Sequence, residues 1–157
     1  MTPMPNTVPD GTDREIFITR TFNAPRELVW KMFTEPQHLM RWWGPKGFTT
    51  PVCEIDLRPG GIWHYVMRAP DGGEFSAQHV YHEITPPERI VYGSAQTGSG
   101  SLNAIHTLTF EAVDGKTKVY FHTQLPSVVE RDEMIKRGFR QGVGEGMDTL
   151  EAYLKTL

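Results

Sequence analysis

Residues 58–73 read RPGGIWHYVMRAPDGG, a strand-like run enclosed by two glycine-rich turns. Within this run, the large apolar side chains of Trp63, Tyr65 and Met67 recur at every second position. Such alternation places apolar side chains on one face of a strand, as in a sheet with one buried and one wet face. Short glycine turns reverse the chain, so neighbouring strands are expected to be antiparallel. The segment therefore predicts an antiparallel sheet that is packed on one side.

Similar runs continue on both sides of this segment. Six strand-like runs lie between Phe48 and Gln124, and a separate run, EIFITRTF, occupies residues 15–22. Proline, glycine and aspartate mark the turns between the six runs. These turns are Pro59-Gly60-Gly61, Asp71-Gly72-Gly73, Pro86-Pro87, Gly98 to Gly100 and Asp114-Gly115. We predict one strand at residues 15–22 and six more in the middle of the chain.

Two short helices are predicted between the first strand and the other six. Pro25 suits the first turn of the first helix, and apolar residues follow at helical spacing. The second helix begins at Thr34 to Gln37, which match the capping-box pattern. It should end at Gly44, because proline at the next position disfavours helical geometry in the residue before it.

The C-terminal part of the chain predicts a long helix. Ser127 to Glu130 form a second capping box, and no proline follows it. Apolar residues three or four positions apart form one stripe that must be buried against the sheet. They are Ile135, Phe139, Val143, Met147, Leu150 and Leu154. The predicted order is therefore β-α-α-β6-α, an α+β arrangement with a curved antiparallel sheet around a long C-terminal helix.

Glycines interrupt the apolar stripe of this helix. Gly138, Gly142 and Gly146 are spaced four apart, and Gly144 lies among them. Each interior glycine costs roughly 1 kcal/mol of helix propensity relative to alanine. Two explanations stay open: the helix ends or breaks near Gly144, or a smooth glycine strip lets a strand or a ligand approach the helix backbone.

Length, charge and cysteine content exclude several classes of protein. A chain of 157 residues with 38% hydrophobic residues can bury one core, so we expect a single domain at 14–157 and a flexible tail at 1–13. The net charge of −3, without a basic run, argues against nucleic-acid binding. No apolar run is long enough to span a membrane. Cys53 is the only cysteine, which suits a reducing, cytoplasmic location.

Five short motifs resemble a known family. They stand in the order seen in the domain of activators of the heat-shock-protein-90 ATPase, of the AHSA type, within the START-like or SRPBCC superfamily that includes the birch-pollen allergen. The motifs are APRELVW at 24–30, RWWGP at 41–45, DLRPGG at 56–61, PDG at 70–72 and EITPPER at 83–89. The resemblance extends from about residue 14 to residue 157. It implies the helix-grip fold, in agreement with the order predicted from turns, caps and periodicity.

The resemblance also implies a function for the space between sheet and helix. Members of the superfamily hold lipids, hormones or polyketides there, and a minority catalyse reactions. We therefore expect a binding module for a small apolar or aromatic molecule. A cyclase- or hydratase-like enzyme and a co-chaperone-like regulator of the heat-shock-protein-90 ATPase stay open as alternatives, as does a homodimer. The sequence offers no recognisable nucleophile–base set, so no catalytic residue is assigned.

Alternation in the strands and the helical stripe together select the candidates for the cavity wall. Trp42 or Trp43 would offer a flat wall, whereas His79 and His106 would offer polar groups among apolar neighbours. The six histidines form neither a His-x-His nor an HExxH pair, so we expect no metal site and no cofactor. The ligand-binding candidates are Trp42, Trp63, Tyr65, Met67, His79, Tyr81, His106, Phe110, Phe121, Phe139, Gly142, Val143 and Met147.

Overall fold

The computed structural model describes residues 14–94 and 104–157. The predicted tail at 1–13 and the predicted turn at Gly98 to Gly100 lie outside the described residues. The strands are β1 Glu15–Phe22, β2 Thr49–Ile55, β3 Ile62–Arg68, β4 Glu74–Thr85, β5 Arg89–Ser94, β6 Ile105–Val113 and β7 Lys116–Gln124. The helices are α1 Arg26–Thr34, α2 Pro36–Leu39, α3 Val128–Lys136 and α4 Phe139–Leu154.

All seven strands form one antiparallel sheet in the order β1-β7-β6-β5-β4-β3-β2. This confirms the predicted α+β helix-grip fold, including the strand at residues 15–22 and the six later strands. The first strand pairs with the last, so β1 lies beside β7 at one edge of the sheet. Register shifts occur between Thr49 and Val52 and between Tyr81 and Glu83. Such irregularities bend strands, and they contribute to the curvature of the sheet.

The turn before β3 requires a glycine at position 61. A Cβ atom at Gly61 would collide with the backbone oxygen of Asp56. Gly61 also accepts a hydrogen bond from the backbone amide of Tyr81, at 3.0 Å. The motif at 56–61 is therefore a tight turn that docks on β4, which is a structural role.

The hydrophobic core lies between the sheet and the helices that cover its concave face. In one part of it, the ring of Phe110 on β6 packs edge-on against Trp30 and Phe33 of α1, at centroid distances of 5.3 and 5.2 Å. On α4, Met147 and Leu150 are fully buried. The helix α1 therefore fills one part of the concave face and leaves the remainder to the C-terminal helices.

The two predicted capping boxes have different outcomes. Ser127 caps α3 as predicted, because its side-chain oxygen accepts a hydrogen bond from the amide of Glu130 at 3.2 Å. The box at Thr34 to Gln37 is wrong: the residue that caps α2 is Glu35, and no side chain accepts a hydrogen bond there. Thr34 instead ends α1 and donates its hydroxyl to the carbonyl of Trp30 at 2.8 Å. Because Thr34 is the last residue of α1, its hydroxyl bonds to a carbonyl of that helix and does not cap α2.

The prediction of one long C-terminal helix is also wrong. The segment divides into α3 and α4 at Gly138, which has a φ of 91°, in the left-handed region. The amide of Gly138 bonds to the carbonyl of Ile135 at 2.9 Å, which closes the last turn of α3. Glycine adopts this conformation without steric cost, and helices commonly end at such a residue. The break does not lie near Gly144, which is inside α4.

Candidate functional site

A cavity of about 510 Å³ lies between the concave face of the sheet and the helices α3 and α4. Strands β3, β4 and β7 contribute side chains to its wall, and α4 covers it from the opposite side. The loop that follows α2 closes one end with Trp42, Trp43, Gly44 and Pro45. The volume falls within the range of about 300–1,000 Å³ that is usual for small-molecule sites.

Most residues selected from the sequence line this cavity. Those that the structure brings together are Trp42, Tyr65, Met67, His79, His106, Phe121, Phe139, Gly142, Val143 and Met147. Three others lie in the core outside its wall, namely Trp63, Tyr81 and Phe110. The ring of Trp43 covers Trp63 at a centroid distance of 4.9 Å, and the α1 aromatic residues cover Phe110. Alternation identified the correct sheet face, but other side chains stand between these residues and the cavity.

The final set of ligand-binding candidates omitted several residues of the wall. They are Phe33, Trp43, Gly44, Pro45, Ala77, Ser94, Ala104, Met134, Arg137, Gly138 and Gly146. Ala77 could have been found, because it alternates with His79 on the same face of β4. Gly44 and Pro45 belong to a loop, where no periodicity marks the side that faces inward. The positions of Met134 and Arg137 at the cavity wall depend on the break between α3 and α4.

Two tryptophans form a rigid aromatic part of the wall. Trp42 is almost fully buried, and its indole N–H donates to the carbonyl of Met32 at 3.0 Å. Trp43 is half-buried, and its ring contacts Tyr65 at a centroid distance of 5.7 Å. Both contribute to the cavity wall. Their rings meet edge to face at a centroid distance of 5.5 Å and give the cavity an apolar side.

His106 is a buried polar group in this wall. Its Nδ1 atom lies 2.8 Å from the hydroxyl oxygen of Thr123, which is also buried. The ring of Phe139 on α4 stacks over the imidazole at a centroid distance of 6.0 Å. Burial lowers the pKa of His106 to about 3, with smaller contributions from His79 and His122. The imidazole is therefore neutral at neutral pH.

His79 lies beside His106 on the neighbouring part of the sheet. The two ring centroids are 6.2 Å apart and the ring planes are perpendicular. Burial lowers the pKa of His79 to about 4, and a hydrogen bond with the backbone of Gly93 opposes this shift. Its Nδ1 atom is buried and has no hydrogen-bond partner in the described part of the chain. Two uncharged imidazoles thus interrupt an otherwise apolar wall.

Metal binding and membrane insertion find no support in the described residues. Within 14–94 and 104–157, the structure contains no cluster of three or more His, Cys, Asp or Glu side chains that could hold a metal ion. None of the helices in these ranges is long and apolar enough to cross a membrane.

The cavity and the sheet that encloses it can be compared with known proteins. Residues 23–155 match a family model described as "Activator of Hsp90 ATPase homolog 1-like protein". The chain belongs to this family. The match includes the motifs at 24–30, 41–45, 56–61, 70–72 and 83–89, and it confirms the resemblance predicted from them. No protein of curated function matches the chain.

Solved structures of bacterial proteins share the fold of this family member. A protein from Nitrosomonas europaea is 27% identical, with a TM-score of 0.84 over 92% of this chain and 96% of that chain. A protein from Rhodobacter sphaeroides is 22% identical, with a TM-score of 0.84 over 93% and 95% of the two chains. An AHSA1-like protein from Aeromonas hydrophila is 19% identical, with a TM-score of 0.73 over 88% and 93%. The last two support the fold alone.

Proposed function

We propose that this protein binds one small apolar or aromatic molecule in the cavity between its sheet and its C-terminal helices. The observation that carries the proposal is the cavity of about 510 Å³ with an aromatic wall. Aromatic rings from different elements meet there, including Trp42, Tyr65, Phe121 and Phe139. Protein interiors are otherwise closely packed, so an unfilled space of this size is expected to serve a guest molecule.

Membership of a ligand-binding fold family agrees with this proposal in general terms. The homodimer stays an open alternative, and the cytoplasmic location stays a prediction. Regulation of the Hsp90 ATPase rests on the family description alone, and no contact among the described residues favours it.

A ligand screen tests the proposal directly. The purified protein would be analysed by native mass spectrometry for a co-purified guest, and then by thermal shift against lipids, sterols, flavonoids and polyketides. A guest that binds only the folded state should raise the melting temperature further as its concentration increases. No bound mass and no shift with any compound class would contradict the proposal.

The enzyme alternative has one specific observation in its favour. His79 and His106 both line the cavity, where a general acid or base of a cyclase or hydratase would have to stand. Their pKa values of about 4 and 3 lie far below neutral pH, however. Proton transfer is most efficient when the pKa of the catalytic group is close to the working pH. Binding is therefore the function that the geometry supports best. Turnover of a cavity ligand by the purified protein, lost in a His106→Gln variant, would establish the alternative.

A further inference from the structure

Four polar side chains lie on the concave face of the sheet, and we call them the polar stripe: His79, Ser94, His106 and Thr123. The first three line the cavity. The strand register produces this arrangement. His79 lies opposite Ser94 in the β4–β5 pair, and His106 lies opposite Thr123 in the β6–β7 pair. Tyr92, two residues before Ser94, lies opposite His106 and stacks near it at a centroid distance of 4.8 Å. His106 is therefore diagonal to Ser94, and its ring centroid lies 6.2 Å from that of His79.

His106 lines the cavity and has two ring nitrogens that can form hydrogen bonds. The Thr123 oxygen occupies the Nδ1 side of the ring at 2.8 Å, so Nε2 is the nitrogen left for a molecule in the cavity. A neutral imidazole nitrogen either donates or accepts one hydrogen bond, depending on the tautomer. A hydroxyl group can pair with it in both cases, because a hydroxyl is both a donor and an acceptor. A carboxylate could only accept.

Charge also distinguishes the guests that this wall can hold. Among the described residues of the wall, Arg137 is the only one that carries a formal charge at neutral pH. Its side chain is 55% exposed, and its Nε atom is paired with Glu133 at 3.1 Å. This cation follows α3 on the helix side of the cavity, whereas the polar stripe lies on the sheet. A guest anion placed against the polar stripe would lose its hydration there, away from the one cation of the described wall.

We infer that the guest is a neutral amphiphile whose hydroxyl group, alcoholic or phenolic, pairs with His106 while its apolar body contacts the aromatic wall. This inference rests on the proposed function and adds the chemical class of the ligand. An apolar guest without a polar group would leave the imidazole nitrogen unpaired in a buried site, which weakens binding. The hydroxyl therefore sets the orientation of the guest, with its polar end at the sheet.

Three probes with one carbon skeleton test this assignment: 2-naphthol, 2-methylnaphthalene and 2-naphthoate. Their affinities for the full chain would be measured at neutral pH by isothermal titration calorimetry. One hydrogen bond predicts that 2-naphthol binds about fivefold to tenfold more tightly than 2-methylnaphthalene. The carboxylate should bind most weakly of the three.

Variants show whether His106 is responsible. In His106→Phe, which keeps a ring of similar size, the affinities of 2-naphthol and 2-methylnaphthalene should become equal. His106→Leu also removes both ring nitrogens, and it provides the same test should His106→Phe fail to fold. His122→Phe is the matched control, because this histidine lies on β7 between two inward residues and pairs with Glu15 on the other face. It should keep the full preference for 2-naphthol.

The possible outcomes separate the inference from the proposed function. The hydroxyl assignment is overturned if 2-naphthoate binds as tightly as 2-naphthol or more tightly. It is also overturned if the preference for 2-naphthol over 2-methylnaphthalene survives both substitutions of His106. In both cases ligand binding itself stands. Failure of all three probes to bind, together with a negative ligand screen, removes the proposed function and this inference with it.

Discussion

Each of the three glycines inside α4 has a different environment. A Cβ atom on Gly142 would lie 3.5 Å from the Cγ atom of Pro45 at the cavity wall, which is an ordinary contact. A Cβ atom on Gly146 would lie 3.3 Å from the carbonyl oxygen of Gly44, so the loop backbone packs closely there. A Cβ atom on Gly144 would meet nothing within 4 Å. The glycine strip therefore accommodates a loop at one position and borders the cavity at another.

Gly142→Leu should block the cavity. The new side chain would extend from α4 into the space beside Pro45, so we expect binding of 2-naphthol to be lost. An overpacked core typically loses about 1–3 kcal/mol of unfolding free energy. The loss here should be smaller, because the new side chain enters open space. Calorimetric titration and urea denaturation measure the two effects.

Gly144→Leu is the control for this change, since it adds the same side chain to the same helix away from the cavity. Its binding should equal that of the unmodified chain. Full binding by Gly142→Leu would show that the guest does not occupy this part of the cavity.

At the scale of the element, the break between α3 and α4 decides which side chains reach the cavity. Because the chain turns at Gly138, Met134 and Arg137 of the preceding segment join Phe139 at the wall. A continuous helix would place these residues on one straight axis. The left-handed conformation of a single residue thus shapes part of the site.

Alanine substitutions at Gly138 and Gly144 should have opposite effects on stability. Gly138→Ala places a Cβ atom in the left-handed region and should cost about 1–2 kcal/mol. Gly144→Ala removes a glycine from a helix interior and should contribute up to about 1 kcal/mol. Neither new methyl group meets an atom within 4 Å, so packing does not influence the comparison. Urea denaturation of both variants checks the signs, and a stabilising Gly138→Ala would contradict the αL assignment.

The helix α3 is packed less closely against the rest of the protein than α4. None of its residues is buried, whereas α4 buries Gly146, Met147 and Leu150. Local opening requires little free energy where few apolar contacts are lost. We expect the amides of α3 to exchange with deuterium faster than those of α4, as measured by mass spectrometry of peptides. Equal protection of both helices would show that they open as one unit.

At the scale of the whole molecule, burial of two neutral histidines links stability to pH. His79 and His106 have folded-state pKa values of about 4 and 3, below the value near 6.5 expected in the unfolded chain. Between the folded-state pKa values and the unfolded-state value near 6.5, the unfolded chain binds more protons than the folded protein. The free energy of unfolding therefore rises with pH across this window and falls as the solution is acidified.

Acidification from pH 7 to about 5.5 should destabilise the protein, and these two histidines should account for part of the effect. Each contributes up to about 1.4 kcal/mol per pH unit well below the unfolded pKa. In the double variant His79→Gln/His106→Gln, the slope of unfolding free energy against pH should be smaller, as measured by urea denaturation. The other histidines are present in both proteins and cancel. An unchanged slope would show that neither ring is held neutral by burial.

The amino-acid sequence by itself determined the sheet, the family and the inward face of most strands. Alternation at Trp63, Tyr65 and Met67 depends on local geometry, because a strand places every second side chain on one side. For the same reason, alternation was sufficient to select His79 and His106 as cavity candidates. Turn and cap chemistry is equally local, as Ser127 illustrates.

Only the tertiary structure decided which inward residues meet the cavity and which lie behind others. Trp63 and Phe110 have the same alternation as their neighbours, yet Trp43 and the rings of α1 cover them. The break at Gly138 was also decided there, although four nearby glycines made several positions plausible in the sequence. The covering of Trp63 and Phe110 depends on contacts between residues far apart in the chain, and local periodicity contains no information about such contacts.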